Sequence, residues 1–165
     1  MINTQPIATM TPELIALGKR AFACKGWRWM PGMLVATEMD ERPEDPPGQS
    51  FWIESRIAFK VTVDRRYNQL PADREWWCSM STADYYGPGE GMDITSWRAW
   101  NLPSLSDPPT LGGLLALVRE AYGDPFAFVA ADEHLGWRVW VKDRPITGWF
   151  KTEAETLVAA LEAAP

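Results

Sequence analysis

The chain has 165 residues, 46% of them hydrophobic and 23% charged, with a net charge of −6 at pH 7. This balance suits a single compact domain that buries roughly 70% of its unfolded surface, and it excludes a disordered or fibrous chain. The acidic excess also excludes a nonspecific duplex-DNA binder, which needs a basic face to displace counterions.

The first predicted element is a helix opened by Thr11-Pro12-Glu13, a hydroxyl N-cap followed by proline and a first-turn carboxylate. Leu14, Leu17, Gly18, Ala21 and Phe22 form its apolar face, and it ends near Gly26. Met33 to Thr37 reads as a short strand. It is followed by a solvated acidic, proline-rich loop over 38–50. From Phe51 to Val63 the pattern is extended, with Ile57, Phe59, Val61 and Val63 alternating with Ala58, Lys60 and Thr62.

Residues 64–106 form a long irregular segment. Trp76-Trp77-Cys78 is a strand candidate within it, and Asp84 to Gly91 is a loop. Asp107-Pro108-Pro109 starts the clearest helix, which sets Leu111, Leu114, Leu115, Val118, Ala121 and Tyr122 on one face and stops at Gly123. Strands Phe126 to Ala131 and Trp137 to Lys142 follow, joined by the turn Asp132 to Gly136. The last helix carries the capping box Thr152-x-x-Glu155 and buries Leu157, Val158 and Leu161. The order predicts an α+β layered single domain over 1–165, with a mainly antiparallel sheet of about four to six strands and about three helices.

Ten residues are tryptophan, and three are followed directly by arginine: Trp27-Arg28, Trp97-Arg98 and Trp137-Arg138. An indole beside a guanidinium that never deprotonates suits a flat anionic ligand such as a nucleotide. In an extended 137–142, Arg138, Trp140 and Lys142 share one face, with the indole between two cations. The same residues also build an ordinary sheet whose arginine stems cover core and rim tryptophans. The candidate ligand-binding residues are therefore Trp27, Arg28, Trp76, Trp77, Tyr85, Tyr86, Trp97, Arg98, Arg138 and Trp140. Tyr85 and Tyr86 sit in a glycine-rich loop that could close as a lid; its Gly87-Pro88-Gly89-Glu90-Gly91 spacing is neither a dinucleotide nor a P-loop fingerprint.

Catalytic signatures are missing. With His134 as the one histidine, serine triads and histidine-rich zinc sites are excluded. Cys24 and Cys78 lack paired spacing and read as reduced thiols. No metal or cofactor is expected, although Asp84, Glu90 and Asp93 supply the types for a carboxylate magnesium site. The acidic run 38–45 reads as a solvated loop, or as a partner-binding patch. No apolar run approaches the roughly 18 residues of a membrane span, and the N-terminal residues lack the regions of a signal peptide. A cytoplasmic protein is expected.

Three runs carry a resemblance: Asp107 to Pro125 (DPPTLGGLLALVREAYGDP), Thr152 to Ala164 (TEAETLVAALEAA) and Ala23 to Met33 (ACKGWRWMPGM). Together they cover about a quarter of the chain, and it resembles small accessory proteins of tailed phages and prophages. The resemblance implies a counter-defence role in the host cytoplasm, by binding a host protein or soaking up a nucleotide signal, and it transfers no catalytic residue. The reading that follows is a non-enzymatic binding protein that sequesters a small planar anion, a nucleotide-derived immune signal, in a Trp/Arg-lined pocket. One alternative is an inhibitor of a host defence complex acting by surface contact, and another is a metal-dependent phosphodiesterase. The partners expected are a nucleotide-like ligand or a host defence protein, with no duplex nucleic acid and no membrane; self-association is compatible with either.

Overall fold

The computed structural model describes residues 10–39, 51–61, 76–79, 92–93 and 101–165. In chain order these contain helix α1 (Pro12–Ala23), strands β1 (Leu34–Met39), β2 (Phe51–Val61), β3 (Trp76–Ser79), β4 (Met92–Asp93) and β5 (Asn101–Pro103), helix α2 (Pro108–Tyr122), strands β6 (Phe128–Asp132), β7 (Gly136–Val141) and β8 (Arg144–Pro145), and helix α3 (Glu153–Glu162). The chain is α+β and its described strands pair antiparallel, as the sequence predicts. They form two sheets, of five and three strands, where the sequence pattern suggested one. Contacts group the described residues into two compact units, one built from 30–104 and the other from 11–29 and 105–165.

The first unit is the five-stranded sheet, in the order β4-β3-β2-β1-β5. β1 lies at its heart, paired with β2 from Leu34↔Arg56 to Met39↔Phe51 and with β5 from Val35↔Pro103 to Thr37↔Asn101. Gly32, at φ +90, lets the chain turn into β1. Its N–H donates to the Ile57 carbonyl at 2.8 Å, and the Arg56 guanidinium donates to the Gly32 carbonyl at 2.6 Å. Met33, Val35, Ala36, Ile57 and Leu102 are buried. The predicted alternation along β2 is interrupted by a shift of register between Ile57 and Phe59, the added residue a β-bulge inserts. β3 falls where Trp76-Trp77-Cys78 suggested a strand; β4 and β5 are short strands that propensity alone did not reveal.

In the second unit, three helices accompany the three-stranded sheet β6-β7-β8. All three helix starts follow their caps: Thr11 Oγ1 accepts from Leu14 N, Asp107 accepts from Thr110 N, and Thr152 with Glu155 closes a reciprocal capping box. Gly123 ends α2 in the left-handed region, at φ +59. The first helix stops at Ala23 with Cys24 as its C-cap, a turn before Gly26.

Helix α3 packs against α1, α2 and β7. Its Leu157, Val158 and Ala160 are wholly buried, with Leu114, Leu117, Val118 and Val139 of the neighbouring elements. Each such aliphatic side chain contributes roughly 1.5–3 kcal/mol of transfer free energy. The Thr156 hydroxyl, also buried, donates to the Trp137 carbonyl at 3.1 Å and ties α3 to the sheet.

Candidate functional site

Alternation along β7 sorts its side chains. Val139 and Val141 are buried, whereas Arg138 and Trp140, on the other face, are only partly covered. Cross-strand pairing sets Phe128 opposite Trp140 and Ala130 opposite Arg138, so Phe128 and Ala130 share that outer face. The two rings stack, 6.3 Å between centroids and 4° from parallel, and Phe128 remains 46% exposed. Where the chain returns past β8, Phe150 bridges to Trp137. There Trp149 receives the Arg138 guanidinium 4.3 Å from its ring centroid, a cation–π contact.

Arg138 makes no ion pair among the described residues, and its buried Nε has no hydrogen-bond acceptor. The face is thus two aromatic–aromatic or aromatic–cation pairs side by side, roughly 7 Å apart along β7 at strand spacing.

A cavity of about 480 Å³ opens beside the Phe128–Trp140 pair, lined by Asp124, Phe126, Phe128, Trp140, Lys142 and Asp143. Its shape depends on the β7–β8 turn, where Lys142 and Asp143 both have positive φ, 48° and 60°, a two-residue hairpin conformation. Asp124 holds that turn. Its carboxylate accepts from the Lys142 N–H at 2.7 Å and the Phe126 N–H at 2.9 Å. These two backbone bonds keep its carboxyl below the usual aspartate range. Both Asp124 oxygens are therefore engaged, and Lys142 and Asp143 are the exposed charges at the rim.

The other sequence-predicted residues lie elsewhere. Trp27 belongs to an aromatic cluster with Phe22 at 6.2 Å and, edge-on, Trp29 at 5.3 Å; its buried indole N–H has no acceptor. Arg28 is gripped by Glu120, each guanidinium nitrogen of the fork donating to one carboxylate oxygen, which pulls the Glu120 carboxyl below its usual range. Arg20 is held in the same way by Glu162, at 2.8 and 2.7 Å. Both guanidiniums are thereby matched with carboxylates, unlike that of Arg138.

Trp76 and Trp77 lie in β3 of the first unit, with Asp93 and Met92 as register partners. Tyr85, Tyr86, Trp97 and Arg98 fall outside the described residues, as do Asp84 and Glu90 of the carboxylate set. Among the described residues no group of three His, Cys, Asp or Glu gathers, and no helix is long and apolar enough to cross a membrane. Cys24 is a free thiol that donates to the Arg20 carbonyl at 3.3 Å, and burial pushes its pKa up.

Of the ten predicted residues, Arg138 and Trp140 are brought onto one face, and Phe126, Phe128 and Trp149 join them without having been singled out from sequence. The signal for the first two was present in Phe126-x-Phe128, two aromatics at strand spacing. Trp149 arrives through the pairing of Phe150 with Trp137, which no local pattern encodes. No family model, no curated protein and no solved structure matches this chain.

Proposed function

We propose that the protein is a non-enzymatic binding module that holds a planar anionic ligand, of the nucleotide class, on the outer face of β6–β7–β8. The observation that carries this reading is the exposed Phe128–Trp140 stack beside a guanidinium without a carboxylate partner. A base laid on such a platform gains about 1–3 kcal/mol, and Arg138 offers its phosphate a planar fork of donors. Lys142, at the rim of the adjoining cavity, adds a second cation. The resemblance to phage accessory proteins adds a context in which the ligand is a nucleotide-derived immune signal and binding sequesters it.

Thermal shift and intrinsic tryptophan fluorescence against mono-, di- and cyclic nucleotides test the proposal. A ligand at 100 times its dissociation constant should stabilise the fold by about 2.7 kcal/mol and quench tryptophan emission. Trp140→Ala and Arg138→Ala should each weaken both responses while still melting cooperatively. Binding that survives both replacements would move the site elsewhere, and the absence of any response would remove the nucleotide reading.

A further inference from the structure

The two edges of the three-stranded sheet are unlike. On one side β8 is two residues long and contains Pro145, and Phe150 bridges β7 beyond it. Short strands and proline are the usual means by which a sheet edge is closed to further pairing. On the other side β6 carries none of these devices. Phe128-Val129-Ala130-Ala131-Asp132 has no proline and no lysine, and its ladder with β7 runs from Phe128↔Trp140 to Asp132↔Gly136 without a shift. Among the described residues no strand pairs with its outer side.

The exposed apolar surface collects at the same edge. Four large hydrophobic side chains stand out from the described residues, and three of them, Phe126 at 84%, Phe128 at 46% and Leu135 at 55%, lie on β6 or immediately beside it. An open edge flanked by apolar side chains is a template for another strand.

We infer that β6 pairs antiparallel with β6 of a second copy, joining two three-stranded sheets into one of six strands across a two-fold axis at Ala130. The strand complements itself in this register. Ala130 meets Ala130 of the second copy, Val129 meets Ala131 and Phe128 meets Asp132, so the side chains opposed at the axis itself are small. The single charge, Asp132, is carried to opposite ends. The two Asp132 carboxylates are then about 13 Å apart at strand rise, beyond the screening length of about 8 Å. Each Phe126 runs alongside the other copy's turn at 133–135, where Leu135 is exposed, so two of the exposed apolar side chains cover each other. Directly opposed residues of an antiparallel pair point to the same face, so the Phe128–Trp140 platforms of both copies share one side of the joined sheet. This pairing rests on the edge of β6 and stands whether or not the platform holds a nucleotide.

Sedimentation equilibrium on the full chain, with charge variants at the axis, tests the pairing. The wild type should have twice the mass of one chain and dissociate on dilution. Ala130→Lys sets two ammonium groups against each other at the two-fold, and Ala130→Glu sets two carboxylates. Each variant alone should raise the dissociation constant about tenfold or more, as 1.4 kcal/mol of repulsion requires, and an equimolar mixture of the two should recover the dimer. Should the charge beside Arg138 disturb folding, Phe126→Asp weakens the same interface from a side chain outside the core. A wild type that sediments as a single chain overturns the inference and leaves the edge to a strand from another protein. A dimer indifferent to all three replacements overturns it as well, because it then forms through another surface.

Discussion

The carboxylate of Asp124 accepts backbone N–H groups from Phe126 and Lys142, so one side chain joins the exit of α2 to the β7–β8 turn. Because these bonds favour the charged form, its folded pKa is depressed. Its stabilisation is fully present above the ordinary carboxylate value near 4 and is lost as the pH falls through the lower folded value. Asp124→Asn should therefore lower the melting temperature at pH 7, and the gap to wild type should close in acid. A constant gap from pH 7 to pH 2 would show that Asp124 acts through shape and not charge.

Arg28 and Arg138 both follow a tryptophan, yet their guanidiniums differ. Arg28 is neutralised by an exposed Glu120, a kind of pair that contributes little to folding, so Arg28→Ala should leave melting and ligand response nearly unchanged. Arg138→Lys should not restore what Arg138→Ala removes, because an ammonium has neither the flat face that packs on Trp149 nor the forked donors. A lysine variant that binds as wild type would reduce Arg138 to a point charge.

At the scale of elements, the parts legible in the sequence are those set by neighbours in the chain. Thr11, Asp107 and Thr152 cap helices by accepting from the N–H three positions on, and Gly123 takes the left-handed conformation that other residues resist. The partition of strands into two sheets was not legible, since β1 draws β5 from some 65 residues away and no local propensity encodes that pairing. The site divides in the same way. Arg138 and Trp140 share a face by simple alternation, whereas the partner of Arg28 lies 92 positions along the chain.

Gly136 combines both kinds of information. Its φ of +98 belongs to the turn, and a Cβ there would sit 2.1 Å from the Phe150 carbonyl oxygen, contributed by the returning chain. Gly123→Ala faces open space and should cost only the roughly 1–2 kcal/mol of left-handed strain. Gly136→Ala should destabilise by clearly more, because Phe150 must withdraw from its bridge to Trp137. Equal losses in chemical denaturation would mean that the Phe150 bridge yields without cost. Thr152→Ala, which opens the capping box of the central helix, should fall near 1 kcal/mol.

For the whole molecule, the distinction between holding a ligand and transforming it is the sharper test of function. The sheet face offers stacking surfaces, one unmatched guanidinium, a rim lysine and a rim aspartate, Asp143, while the buried carboxylate of Asp124 has both oxygens occupied by backbone donors. The proposed sequestration assigns no chemical step to any of these groups. Any nucleotide that stabilises the protein should therefore be released chemically intact when the complex is heat-denatured, with or without magnesium. Chromatography of the released ligand decides the matter. A hydrolysed product formed only with magnesium and abolished by Asp84→Asn would replace sequestration with metal-dependent phosphodiester cleavage. Intact recovery at one equivalent per chain, lost in Trp140→Ala, would fix the stoichiometry of a sponge built on the β6–β7 platform.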